Sequence, residues 1–378
     1  MKKAVIIPDS FKGTLSSLQI CDIIRNKIKE YYPYCKVVSI PVADGGEGSV
    51  DCFVTALNGK KIDIVVKNPY FEEMKSFYGL IDDGKTAVIE MSACSGLPLV
   101  ENRKDPRKTT TYGVGEMILD AANRGVKKII VGLGGSCTND GGCGAATAVG
   151  VQFFNKNGEV FIPTGGTIHE ITKIDITNKN DILNGIEIIT MCDIDNPMYG
   201  TNGAAYVFGA QKGADAEMIE YLDKGIKHLS EVIKMDLNKD LGEIPGTGAA
   251  GAMGAGMIAF FDSNLQMGIE TVLDAVKFNS VISDSDIIFT GEGKLDQQSL
   301  RGKVVIGISR RAKELNVPVV VITGGADENI QEVYDNGVTS IFSINRLPEA
   351  LEISRYKSVE NLEFTIDNIL RLMKIYDN

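Results

Sequence analysis

Five stretches of this 378-residue chain gather carboxylates, lysines, small hydroxyls and glycines, and each directly follows an apolar run that reads as a β-strand. The run at 4–7 leads into PDSFKGT, with Asp9, Ser10 and Lys12, and the run at 37–40 into PVADGGEGS, with Asp44 and Glu47. The run at 128–131 opens GLGGSCTNDGGCG (132–144), which holds Ser136, Thr138, Asn139 and Asp140. The run at 187–190 leads into MCDIDNP, with Asp193, Asp195 and Asn196, and that at 287–290 into GEGKLDQQS, with Glu292, Lys294 and Asp296. Open α/β sheets bind ligands beyond the carboxyl ends of their strands. One acidic loop is an ordinary turn or helix cap; five in equivalent places point to a functional cleft.

Phosphoryl transfer suits such a set. Magnesium takes oxygen ligands and keeps several waters, so one or two carboxylates can hold it between phosphates. Another carboxylate can accept the proton of an attacking hydroxyl, while cationic groups offset charge at the transferred phosphoryl. Asp193 and Asp195, two apart at a strand end, could divide those roles, although an Asx-type turn before Pro197 would use the same residues. Glycine lets backbone amides approach an anion closely at a helix N-terminus, and it equally lets strand and helix pack closely. The familiar nucleotide signatures are absent: Gly293–Lys294 is followed by leucine rather than Ser or Thr, and the H-R-D and D-F-G sets do not occur. A dinucleotide fingerprint at 132–135 lacks its ribose-binding acid some 20 residues on.

Composition narrows the classes further. With 44% hydrophobic and 24% charged residues the chain reads as globular, of roughly two domains. Two histidines, His169 and His228, give a Ser-His-Asp mechanism little to work with. Seven scattered cysteines with no C-x-x-C pair argue for reduced, buried thiols. A net charge of −11 disfavours nucleic acid as a partner, and no apolar run reaches membrane-spanning length or reads as a signal peptide. Cytoplasmic residence is the expectation.

The elements that must position these residues alternate between strand and helix, the pattern of an α/β protein with mostly parallel sheets. Further strands are expected at 87–91, 317–322 and 340–343, with a helix at 16–31 that carries Ile20, Ile24 and Ile28 on one stripe and is capped by Thr14 or Ser16. Residues 77–91 read as a hairpin around Asp83–Gly84, which breaks the βαβ rhythm. That rhythm returns after about residue 284. The expected architecture is therefore a discontinuous parallel-sheet domain, 1–62 with 284–378, and an inserted mixed α/β domain, 63–283. The segment PGTGAAGAMGAG (245–256) reads as a closely packed helix.

Taken together, PDSFKGTLS (8–16), PVADGGEGS (41–49), IEMSACSGLPLV (89–100), TTTYGVGE (109–116), GLGGSCTNDGGCG (132–144), CDIDNPMYGTNGAAYVFGAQKGA (192–214), PGTGAAGAMGAG and FTGEGKLDQQSLRGK (289–303) resemble the class I glycerate kinases, in order and over essentially the whole chain. The resemblance implies ATP- and Mg²⁺-dependent phosphorylation of D-glycerate, usually at O2. It also implies a flavodoxin-like domain built from both chain ends, an inserted domain, and an active site between the two. On that basis Asp193 is the expected base and Asp195 or Glu292 a magnesium ligand. Lys12 is expected at the transferring phosphate or the substrate carboxylate. Asp9, Ser10, Asp44, Glu47 and Asp296 would shape the substrate pocket, with Arg107 and Lys212 as alternative carboxylate clamps. The loop 134–142, with Gly134, Gly135, Ser136, Thr138, Asn139, Asp140 and Gly141, would cradle ATP. A nucleotide-dependent oxidoreductase, a non-catalytic ligand sensor and a 3-phosphoglycerate product are the alternatives.

Overall fold

A computed structural model describes residues 1–43, 45–297, 299–301 and 303–375. Among them the strands are β1 (Lys3–Ile6), β2 (Lys36–Ser39), β3 (Lys60–Lys67), β4 (Glu73–Ile81), β5 (Thr86–Glu90), β6 (Lys128–Gly132) and β7 (Gln152–Phe154). They continue with β8 (Val160–Phe161), β9 (Lys173–Asp175), β10 (Glu187–Met191), β11 (Asn264–Gln266), β12 (Ile287–Leu295), β13 (Val319–Ala326) and β14 (Val338–Ser343). Two compact units form, one from 1–44, 55–57 and 267–378, the other from 45–54 and 58–266.

The first unit is a five-stranded parallel sheet in the order β14-β13-β12-β1-β2. Counted within the unit this is 2-1-3-4-5, the flavodoxin-like doubly wound order expected from the resemblance. The helix Ser17–Tyr31 starts at Ser16, whose side chain accepts from the Gln19 amide while the Gln19 side chain accepts from the Ser16 amide, a complete capping box. Its Ile20, Ile24 and Ile28 are buried together with Phe289, Ile322, Leu362 and Ile366. Each such isoleucine contributes about 1.5–3 kcal/mol of hydrophobic stabilisation.

The second unit has a six-stranded sheet in the order β11-β10-β6-β5-β4-β3 and a small antiparallel sheet β8-β7-β9. The hairpin around Asp83–Gly84 is present as antiparallel β4–β5, while β5, β6, β10 and β11 run parallel. The units exchange the chain earlier than the change of rhythm suggested, at 44/45 rather than 62 and at 266/267 rather than 284. At the second crossing, the helix Gly268–Ala275 has the polarity of an ordinary amphipathic helix, so periodicity alone does not assign it to a unit.

Candidate active site

In the first unit, β1 and β12 are neighbours where the strand order reverses, the point at which such sheets bind ligands. The loop after β1 is held onto β12: the Asp9 amide donates to the Gly291 carbonyl at 2.8 Å. A Cβ at Gly293 would stand 3.4 Å from the Lys12 nitrogen and the Phe11 Cα, in ordinary contact, so the Lys12 loop lies directly beside β12. Asp9 is buried and accepts the Ser10 amide at 2.6 Å. Glu292, also buried, accepts a hydrogen bond from the Ser299 hydroxyl. Ser299 is tied in turn to Asp296, whose amide donates to Ser299 Oγ at 3.1 Å. Burial pushes the Glu292 carboxyl up to about 7; the Ser299 bond and Lys303 pull it down, and the carboxylates of Asp9 and Asp296 push it further up. The first unit thus brings Asp9, Lys12, Glu292 and Asp296 to one end of its sheet. Lys294 points its charge elsewhere, to Asp327 at 3.0 Å.

Ser299 and Lys303 were not singled out from sequence. Ser299 lies three residues past Asp296, the spacing of a local hydroxyl–carboxylate turn, and that spacing was its available signal. Asp44 lies outside the described residues.

In the second unit the two glycine-rich stretches pack on each other. The Gly134 amide donates to the Gly45 carbonyl at 3.0 Å, and a Cβ at Gly134 would lie 2.5 Å from the Gly46 Cα. A Cβ at Gly132 would lie 2.3 Å from the Gly45 carbonyl oxygen. Farther along, Gly142 lies against Gly256 and Gly144 against the Thr110 hydroxyl, with virtual Cβ distances of 3.1 and 2.1 Å. The loop is bare chiefly because backbone meets backbone. Gly135, at φ +75°, is exposed and Gly134 partly so, whereas Ser136, Thr138, Asn139, Asp140 and Gly141 are buried. Asp140 accepts from the Thr111 amide (2.7 Å) and hydroxyl (2.8 Å) and from the Gly142 (3.3 Å) and Gly144 (3.2 Å) amides, which braces the start of the helix Cys143–Ala148.

Glu90, at the end of β5, accepts the Val50 amide at 2.5 Å and the Gly48 amide at 3.3 Å, and so anchors the head of the helix Ser49–Ala56. Burial raises its carboxyl above the usual range. Glu47 beside it is exposed. Asp193 is half-buried and Asp195 exposed on the loop after β10. That loop is braced through the Asn196 carbonyl, which accepts the Gly246 amide at 3.2 Å and the Gly248 amide at 3.0 Å. Of the two alternative carboxylate clamps, Arg107 already forks onto Asp105, at 2.9 and 3.0 Å, on an open groove with Asp215, Glu217 and Tyr221. Lys212 is wholly buried instead.

A doubly wound sheet with carboxylates and a lysine at its switch point, in one chain with a mixed α/β unit with acidic strand ends, is an architecture that binds small ligands beyond the carboxyl ends of its strands. The sequence model of the Glycerate kinase family matches residues 4–374. The chain is 45% identical to a glycerate kinase of Bacillus cereus over 99% of its own length and 98% of that protein. It is 42% identical to the glycerate 2-kinase of Escherichia coli K12 over 90% of each. A crystal structure described as that of glycerate kinase 2 from Salmonella typhimurium LT2 superposes with a TM-score of 0.89 at 38% identity, over 100% of this chain and 99% of that one. The chain belongs to the glycerate kinase family and is an enzyme, a glycerate kinase. The oxidoreductase and sensor alternatives are thereby set aside. Among the described residues no helix is long and apolar enough to cross a membrane.

Proposed function

We propose that this glycerate kinase moves the γ-phosphoryl group of ATP to O2 of D-glycerate, giving 2-phosphoglycerate and ADP. The observation that carries the reading is the convergence of Asp9, Lys12, Glu292 and Asp296 where β1 and β12 meet. The name of the Escherichia coli relative, glycerate 2-kinase, favours O2 over O3.

Asp193 takes the proton of the attacking hydroxyl as O2 bonds to the γ-phosphorus, and the bond from that phosphorus to the departing ADP oxygen breaks. The Lys12 ammonium offsets charge on the transferred group. Ser10, Asp9, Asp44, Glu47 and Asp296 hold the glycerate hydroxyls. The Gly135 amide, in the exposed part of that loop, meets the nucleotide phosphates. Magnesium fits the donor set: Glu292 is a buried carboxyl whose proton affinity is raised partly by Asp9 and Asp296, an excess of negative charge that a divalent cation would offset. Among the described residues no three His, Cys, Asp or Glu side chains lie close enough together to hold an ion by themselves. The protein would therefore supply one or two carboxylates, Glu292 or Asp195, which is what magnesium bound to phosphates needs. When bound, the ion neutralises phosphate charge. We place the reaction in the cytoplasm, where free thiols such as the seven found here stay reduced.

Coupled measurement of ADP release tests this reading. Release should require D-glycerate, ATP and Mg²⁺ together; equal release with glycerate omitted would contradict it.

A further inference from the structure

Lys212 is 1% exposed, yet among the described residues no carboxylate pairs with it. Its ammonium makes one hydrogen bond, to the Thr138 carbonyl at 2.6 Å. An ammonium carries three donors, so two N–H groups stay unmet. The next residue along from Thr138 repeats the pattern. Asn139 is 0% exposed, and its carboxamide has no partner at Nδ2 or at Oδ1; the buried Thr138 hydroxyl has none either. Asp140 does not cancel the lysine charge by contact, because its oxygens are committed to Thr111, Gly142 and Gly144. Burial lowers the Lys212 ammonium to about 8, against upward pulls from Cys137 and Asp140. Folded proteins rarely leave buried polar groups unpaired, because each loses water without compensation.

The unmet groups have a definite chemical complement. Unmet donors are in excess (Lys212, the Asn139 amide and the Thr138 hydroxyl), and one acceptor, Asn139 Oδ1, is unmet as well. A small acceptor-rich anion carrying a hydroxyl of its own matches that set.

The cover over these residues is conformationally strained. Ala250, Gly251 and Ala252, at the head of the helix Ala249–Phe261, all lie in the left-handed region, with φ of 54°, 69° and 65°. Two of the three are alanines, for which that region is disfavoured. Gly251 sits directly on the node: a Cβ there would lie 2.1 Å from the Thr138 carbonyl oxygen and 2.6 Å from the Asn139 Cα. The Gly141 amide donates to the Gly251 carbonyl at 3.1 Å. The same segment reaches the Asp193 loop through Gly246 and Gly248, whose amides donate to the Asn196 carbonyl. Strain of this kind collects at ligand clamps and switch segments.

We propose that Lys212, Asn139 and Thr138 form the seat for the carboxylate of a small hydroxy acid, roofed by the left-handed turn at 250–252, which moves to admit it. The proposal deepens the glycerate reading and rests on it for the identity of that acid. Lys212 and the Asn139 amide take the carboxylate oxygens, and Asn139 Oδ1 takes the hydroxyl. Movement of the roof shifts the backbone that braces the Asp193 loop, so filling the seat and placing Asp193 are linked.

The full chain tests the proposal, with D-glycerate, D-lactate and glycerol as probes in titration calorimetry. Asn139→Ala is the decisive variant: it removes no side-chain hydrogen bond of the protein, so a loss of D-glycerate binding by the folded variant has no broken structural bond behind it. Lys212→Met is the second. The wild type should bind D-glycerate, bind D-lactate more weakly and ignore glycerol. Asn139→Ala should keep the wild-type circular dichroism and KM for ATP within twofold while losing at least tenfold in D-glycerate affinity. A folded Asn139→Ala protein with wild-type affinity overturns the seat and leaves the glycerate kinase reading standing. Binding of D-lactate but not D-glycerate, lost on Asn139→Ala, would sustain the seat and overturn the choice of acid. Binding of neither acid by the wild type overturns the seat.

Discussion

Asp193 and Lys212 show how far residue type alone carries an argument about chemistry. Asp193 sits half-buried on a loop braced by backbone bonds, which suits a group that must accept a proton at a fixed place. Asp193→Asn keeps the shape and removes the basicity. Its kcat should fall more than tenfold, which is roughly 1.4 kcal/mol of barrier, and a smaller fall in steady-state assays would assign the proton to another group. Lys212 leaves a thermodynamic signature. Its folded-state affinity for protons, near pH 8, lies below the ordinary lysine value of 10.5. Between those values the folded protein holds fewer protons at this site than the unfolded chain, so this group makes stability rise with pH across that window. Below about pH 8 both states are protonated and the buried charge is a constant penalty. Lys212→Met removes the penalty, so the variant's melting temperature relative to wild type should drop as the pH is raised from 7 to 9.5. A pH-independent difference would contradict the burial argument. The sequence named both residues, yet could not show that Asn139 and Thr138 beside Lys212 are unpaired, because that depends on contacts made by segments about 70 and 110 residues away, at 212 and 251.

At the level of elements, the glycine-rich loops were legible as loops and misleading as to cause. Glycine has one appearance in a sequence whether the neighbour is a phosphate or another backbone. Here Gly134 meets Gly46, and Gly132 meets Gly45, at the end of the interior strand β6, an approach that no local pattern announces. Gly134→Ala should push the two loops apart, costing roughly 1–3 kcal/mol by overpacking and lowering kcat/KM at least tenfold. Gly158→Ala is the control: its φ is +76° with nothing within 4 Å of an added Cβ. It should cost about 1 kcal/mol through backbone strain and leave kcat/KM alone. Equal effects of the two on turnover, measured alongside denaturant unfolding, would count against the packed-loop account. Strands with unbroken apolar runs, such as β6 and β10, were readable, and so was the helix at Ser17–Tyr31 with its Ser16 cap. The short strands β7, β8, β9 and β11 were not, because two or three residues are too few for a period to show. The helix expected in 245–256 is there, but its left-handed first turn was invisible, since alanine is a helix former everywhere else.

For the whole molecule, the return of strand–helix rhythm near the C-terminus correctly announced that both ends of the chain share one sheet, in which β1 pairs with β12 across more than 280 residues. The crossing points were harder to read, because the chain changes units within loops and ordinary amphipathic helices rather than at a change of composition. Membership of the glycerate kinase family fixes the substrate class; the donor and the position of attack are the central proposal. Phosphorus NMR of the products formed from D-glycerate, ATP and Mg²⁺ addresses it most directly. Phosphate on O2 is attached to a carbon bearing one hydrogen and gives a proton-coupled doublet, whereas phosphate on O3 is attached to a CH₂ and gives a triplet. The account expects the doublet together with the resonances of ADP. A triplet would move the attack to O3, and an unchanged spectrum of ATP would contradict the proposed reaction.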